Sequence, residues 1–389
     1  MKYFFVFLLT VWVSFDALAD TYVVTPNFDD YLSAVIELTL DHPPESDTTF
    51  GTRSVGGVAP TISDASCTYP AGTADVAVQG LYWIVPRDCL QISWSISFCA
   101  IRDRTYELSN QESFYHPKGW WYLNESGSLL RYTGQNEATL CALVLESKKC
   151  THLSPLDRAP TFLMFGKPER VFSWQGKTIE VYTGNDAEYL GLEPTMADFA
   201  VALERIDAMT ASISVPDERS SRLQFVWLGI DSDQNWTGGA AGNGAFLSNF
   251  RINGNTVTEV ERSRLLIISG HEYVHMIGVN AGSQWVTETL ATYYGFKAIG
   301  SVPSAQKAFE EMAYVEHPDV PVMVRGAALW RDLDEAITQF TEGQDSLDDL
   351  LPLLTDPFES ETSLPAEFLS LVAEKIGQSR LDTILSNYF

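Results

Sequence analysis

Beyond its first nineteen residues this 389-residue chain has no apolar run approaching 18 residues, which excludes a later hydrophobic helix long enough to span a bilayer. It has no cysteine after Cys150, so any disulfide is confined to the first part of the chain. Positive charge is scarce: 25 Lys and Arg stand against 51 Asp and Glu, a formal net charge of −26. No Lys or Arg occurs between Asp332 and Glu374, where Asp334, Glu335, Asp345, Asp348, Asp349, Glu359 and Glu361 accumulate. Nucleic acid and anionic membrane surfaces are thereby excluded as partners, since phosphate recognition needs clustered cations. The acidic stretch reads as a solvated face that keeps an exported protein in solution. Internal repeats and long low-complexity segments are absent too.

What is present begins with Lys2, an apolar stretch from Phe4 to Phe15, and Ala17-Leu18-Ala19. These are the three parts of a secretory signal, residues 1–19, cleaved before Asp20. The expectation is a secreted or periplasmic protein with no stable membrane insertion once the signal is removed. The five cysteines, Cys67, Cys89, Cys99, Cys141 and Cys150, allow one or two disulfides in an oxidising compartment; Cys141 with Cys150 is the simplest pair, and one thiol is left over.

The remaining length calls for two or three domains. Residues 20–155 read as short strands separated by Gly, Pro, Asn and Asp turns: Ala34 to Leu40, Asp75 to Val85, Leu90 to Phe98 and Leu140 to Leu145. That pattern predicts an N-terminal β-sandwich, with His152 to Pro160 as a linker. From about 160 to 300 the pattern is α/β. Thr178 to Tyr182 and Leu223 to Leu228 read as strands, and Met196, Phe199, Ala200, Leu203 and Ile206 keep helical spacing between them. Residues 301–389 are predicted helical, including Ala305 to Met312, Gly326 to Phe340 and Ala366 to Leu385.

Chemistry concentrates at His271-Glu272-Tyr273-Val274-His275, which follows an apolar run of helix length from Arg262 to Ile268. On a helix, His271 and His275 lie four residues apart on one face, so two imidazole nitrogens converge on one point. Glu288, on what reads as the next helix, completes a donor set for one Zn2+, and Glu272 lies beside it, free of the metal. Two neutral imidazoles and a carboxylate can hold zinc, a water takes the fourth position, and a separate carboxylate removes that water's proton. Gly270 is the weak point, because glycine inside a helix costs about 1 kcal/mol relative to alanine. Its use would be to give the metal or a neighbouring helix close access. Thr292, one turn past Glu288, either orients a ligand or is an ordinary helix-surface threonine.

Over roughly residues 160 to 355 these motifs resemble the glycyl aminopeptidase (M61) family, a gluzincin relative of the M1 aminopeptidases. That family has a zinc helix H-E-Y-x-H, then W-x-x-E-G and two tyrosines; here His271, Glu272, His275, Trp285, Glu288, Tyr293 and Tyr294 match. Its K-G-A-L and S-L-D-D look like Arg325-Gly326-Ala327-Ala328-Leu329 and Ser346-Leu347-Asp348-Asp349. The resemblance implies a zincin-like α/β catalytic domain after a β-domain, zinc on His271, His275 and Glu288, Glu272 as general base, and a peptide or protein substrate. It also implies that Gly238 and Gly239, matching a glycine-rich substrate strand, expose backbone to the peptide. The chain departs from the pattern at four places. Ala241 stands where the family has a glutamate that holds the substrate's amino terminus. Met323 stands where it has an oxyanion-stabilising tyrosine, a loss that typically lowers rate by roughly 10²- to 10³-fold; Tyr314 and His317 are the nearest replacements. Thr289 replaces the glycine after the third ligand, a change of packing, and the segment joining His275 to Glu288 is short, which trims the groove on that side.

The sequence therefore predicts an exported zinc metallopeptidase, aminopeptidase or endopeptidase. The rival is a zinc-stabilised, catalytically inactive homologue that binds peptides. Asp231-Ser232-Asp233-Gln234-Asn235 alternates oxygen ligands as a calcium loop does, but Trp236 occupies the glycine position, so an Asx-rich turn is the better reading.

Overall fold

The computed structural model describes residues 19–389 apart from 54–60, 102–103, 105–111, 136, 145–146, 157, 214–221, 234–236, 280–282, 301, 313–319, 356–363 and 389. The expected signal peptide falls outside the described residues save for its last position, and Tyr314 and His317 fall outside them as well.

The first part of the chain is a sandwich of antiparallel-rich sheets. A seven-stranded sheet places Asp20–Pro26 between Ser33–Thr39 and Ala138–Val144, with Ser147–His152 at one edge and Gly72–Asp75 at the other. Two four-stranded sheets cover its inner face, and Tyr22, Ile36, Trp94, Phe50, Trp83, Trp121 and Leu163 from all three form one core. The stretch expected as one strand, Asp75 to Val85, is instead Gly72–Asp75, Ala77–Gln79 and Tyr82–Val85. Gly80, at φ +65°, reverses the chain so that Gln79 pairs with Tyr82. That left-handed conformation suits glycine and breaks an apparently continuous run. Both expected disulfide features form. Cys141 and Cys150 face each other across an antiparallel pair, Cys67 joins Cys89, and Cys99 is the free thiol, donating to Glu112 Oε2 at 2.9 Å.

The sequence Trp120-Trp121-Tyr122-Leu123 is buried throughout, as a strand covered on both faces must be. Trp121 and Leu123 point into the sandwich core, while Trp120 and Tyr122 point the other way onto Val226, Leu228 and Leu247 of a second structural unit. Phe162–Gly166, just past the expected linker, pairs with this strand. The joint also carries a buried polar cluster. Lys149 Nζ donates to Glu180 Oε2 at 2.6 Å and to the Tyr182 hydroxyl at 2.7 Å, and Gln224 Nε2 donates to the same Glu180 oxygen at 2.8 Å. Each charged atom there has a partner, which is what makes such burial tolerable.

The second unit is a five-stranded sheet in the order Arg170–Trp174, Lys177–Thr183, Arg222–Asp231, Ala245–Ile252, Gly239–Gly242. The three inner strands are parallel and the two edge strands antiparallel. Its other face packs on helices Leu192–Met209, Glu259–Met276 and Gln284–Ile299, with Phe199, Phe225, Trp227, Phe246 and Leu265 in the shared core. Helices Pro303–Met312, Val320–Phe340, Ala366–Ile376 and Gln378–Leu385 complete the helical C-terminal part; Gly377, at φ +85°, divides the last two where one was expected. The molecule is thus multidomain α and β, a β-sandwich followed by an α/β unit and helices. Among the described residues no helix is long and apolar enough to cross a membrane.

Candidate active site

Helix Glu259–Met276 starts at Thr258, whose hydroxyl accepts the Glu261 backbone N–H at 3.2 Å, with Glu259 and Glu261 in the first turn favouring the positive helix end. It presents Leu265, Ile267 and Val274 to the core and carries both histidines near its last turn. The next helix, Gln284–Ile299, crosses it closely. Glycine makes the crossing feasible: a Cβ at Gly295 would sit 2.4 Å from the Ile267 carbonyl oxygen. Gly270 serves the neighbouring helix, not the metal, since a Cβ there would meet Gly295 Cα at 2.9 Å.

This crossing brings the three expected donors together. His271 Nε2 and His275 Nε2 are 2.9 Å apart, and Glu288 Oε2 lies 3.3 Å from the first and 3.5 Å from the second. Zinc bonds of 2.0–2.1 Å at tetrahedral angles would set donors about 3.3–3.5 Å apart. The trio fits one such ion with little adjustment, and it is the donor cluster found among the described residues.

Two neighbours complete the arrangement. The Thr292 hydroxyl donates to the Glu288 carbonyl at 2.9 Å and sits 3.0 Å from His271 Nδ1. Glu272 is only 5 % exposed. Burial pushes its carboxyl pKa up, against the lowering influence of His271 and His275. Burial also acts to raise Glu288, but hydrogen bonds and charge from the two imidazoles outweigh it and hold that carboxyl well below the ordinary range. His271 moves the opposite way: burial lowers it, yet Glu288 and Glu272 leave it raised overall.

Gly239 opens the edge strand Gly239–Gly242, paired antiparallel with Ala245–Ile252. A Cβ there would meet Glu272 Oε1 at 2.6 Å and the Leu247 carbonyl at 2.5 Å, so bare backbone lies directly against the buried carboxylate. Gly238 is differently employed. Its N–H donates to Asn249 Oδ1 at 3.0 Å and its carbonyl accepts the Asn249 N–H at 3.1 Å, which anchors the strand's start.

The other matched motifs are supports. Thr289 fills the space left by Gly326, where a Cβ would be 2.2 Å from its methyl, and its hydroxyl accepts from Trp330 Nε1 at 2.8 Å. Tyr293 bonds Asp334, Tyr294 bonds Asp348, and Lys297 pairs with both acids at 2.8 and 2.7 Å, tying the Glu288 helix to the C-terminal part. Met323 lies in helix Val320–Phe340, and its side chain is outside the described residues. Asp231 faces the Arg104 guanidinium at 3.5 Å, so the cation near that carboxylate is the protein's own. Gly295 and the Gly239 contact with Glu272 were not legible beforehand; a glycine seven positions past Glu288 was the one available signal.

No known protein family is matched by the sequence, and no curated protein resembles it. Solved structures do. An aminopeptidase N family protein from Idiomarina loihiensis aligns over 95 % of this chain and 76 % of its own, with TM-score 0.67 and 12 % identity. Aminopeptidase A from Legionella pneumophila, solved with aspartic acid, aligns over 96 % of this chain with TM-score 0.50 and 11 % identity; this chain spans 49 % of that one. The molecule therefore shares the fold of aminopeptidases of this kind: an N-terminal β-domain followed by an α/β unit and helices.

Proposed function

We propose that the protein is an exported zinc metallopeptidase. The observation that carries the reading is the convergence of His271, His275 and Glu288 around one point with the buried Glu272 alongside. A bound Zn2+ would be held by those three side chains and would supply Lewis acidity toward a peptide carbonyl and toward water. Glu272, buried beside the three donors, accepts the proton of the attacking water and delivers it to the leaving amine. The edge strand Gly239–Gly242 offers a peptide main chain a place to add as a further strand, running past Glu272.

Within that reading the finer family is the glycyl aminopeptidase (M61) group, on the strength of the motif spacing around Glu288 and Ser346 to Asp349. Ala241, lacking a carboxylate, favours substrates not selected by a free amino terminus. Residues 1–19 act as the export signal, followed by a β-domain at 20–155, a catalytic domain at 160–300 and a helical region at 301–389. The two disulfides accord with a secreted or periplasmic location. A zinc-stabilised peptide-binding homologue without turnover is the second reading, favoured by Met323 and Ala241.

Cleavage of a peptide library by the mature protein, with and without chelator, separates the two. Chelator-sensitive cleavage that is lost in Glu272→Gln, with stoichiometric zinc retained, supports the peptidase. Stoichiometric zinc with no cleavage establishes the binding protein.

A further inference from the structure

We propose that Thr292 is a positioning residue that fixes the tautomer of His271 and locks it to the segment carrying Glu288; the inference rests on the zinc reading above. A threonine hydroxyl has one proton to give. In Thr292 that proton goes to the Glu288 carbonyl, 2.9 Å away and one helical turn back. The hydroxyl oxygen can then only accept from His271 Nδ1, which stands 3.0 Å away. The imidazole must carry its hydrogen on Nδ1, leaving the Nε2 lone pair turned toward His275 Nε2 and Glu288 Oε2.

Threonines commonly bond the carbonyl four residues back, and that bond alone would be of no functional interest. The second partner is what distinguishes this one. One hydroxyl joins the imidazole on helix Glu259–Met276 to the backbone of the carboxylate on helix Gln284–Ile299, so two of the three donors are registered by a single group. Thr292 is 3 % exposed, and solvent is kept from replacing it. Valine at this position would preserve the shape and remove both hydrogen bonds; serine would preserve both.

The test is zinc affinity, measured by competition with a chelating dye on the mature protein, alongside the thermal midpoint of the metal-stripped form. Thr292→Val is expected to bind zinc about 10- to 100-fold more weakly, to show a smaller zinc-induced rise in midpoint, and to leave KM for a cleaved peptide unchanged. Thr292→Ser is expected to recover most of the affinity. Unchanged affinity in Thr292→Val overturns the proposal, as does a serine variant as weak as the valine one. Absence of stoichiometric zinc in the wild-type protein marks a different failure, that of the zinc reading itself, and removes this proposal with it.

Discussion

Gly270 and Gly295 meet where the two donor-bearing helices cross, with no room for a methyl group on either side of the contact. His271 is the neighbour of one glycine and Glu288 lies two turns before the other, so the crossing distance sets the distance between donors.

Gly295→Ala is accordingly expected to damage both stability and metal binding. Its Cβ would meet the Ile267 carbonyl oxygen at 2.4 Å and the His271 nitrogen at 2.9 Å, both main-chain atoms that cannot rotate aside. Overpacking of this kind costs about 1–3 kcal/mol. Thermal melts should show the loss, and zinc titration should show weakened binding; a variant that binds zinc like the wild type would mean the crossing has slack.

How much of this was visible in the sequence differs from residue to residue. His271, His275 and Glu288 were legible because helical periodicity fixes the first two on one face and the motif supplies the third. The alternating and continuous apolar runs likewise gave the β then α/β then helical order. Gly270 reads as a cost or as room for either the metal or a neighbouring helix, and the sequence cannot choose between these because Gly295 lies 25 positions away and only the helix crossing joins them. The Lys149, Glu180 and Gln224 cluster was invisible for the same reason, since it depends on how two separate sheets face each other. Gly80 and Gly377 were missed as breaks because a single glycine does not announce its sign of φ.

Gly239→Ala should separate chemistry from metal binding. The new methyl would press first on the Glu272 carboxylate and the Leu247 carbonyl, its nearest neighbours, and not on the three donors. The expected result is a lower kcat, by roughly 10²-fold as for the loss or displacement of a general base, with zinc stoichiometry intact. Steady-state kinetics with metal analysis would decide it; normal kcat would mean Glu272 has freedom to move.

Removal of zinc should lower the thermal midpoint without unfolding the protein. His271, His275 and Glu288 pair among themselves, and the surrounding core is extensive. At zinc concentrations about 1,000 times Kd the bound ion adds about 4 kcal/mol, so chelation should produce a clear downward shift. Calorimetry with and without chelator measures it, and no shift would argue against a site of useful affinity.

Acid sensitivity should come in part from His116, which is not one of the proposed donors. Its ring stacks on Trp120 at 5.0 Å, its Nδ1 accepts the Lys118 N–H at 3.2 Å, and burial, with the Lys118 charge, pushes its pKa down to about 4. A depressed value means the unfolded chain takes up the proton first. The stabilisation is fully present above pH 6.5 and is lost as pH falls from there through about 4, on the order of 2–3 kcal/mol. His116→Phe keeps an aromatic ring against Trp120, and its unfolding free energy should vary with pH over that window by about one proton less than the wild type. Parallel slopes from denaturant titrations would remove His116 from the account.

The segregation of cysteine has a chemical consequence. Both sulfur bridges lie in the β-sandwich, whereas the proposed zinc donors are nitrogen and oxygen atoms in a part of the chain with no thiol at all. Oxidation confined to thiols would leave the proposed zinc donors chemically untouched, so disulfide formation in the first part of the chain does not compete with metal binding at the proposed centre.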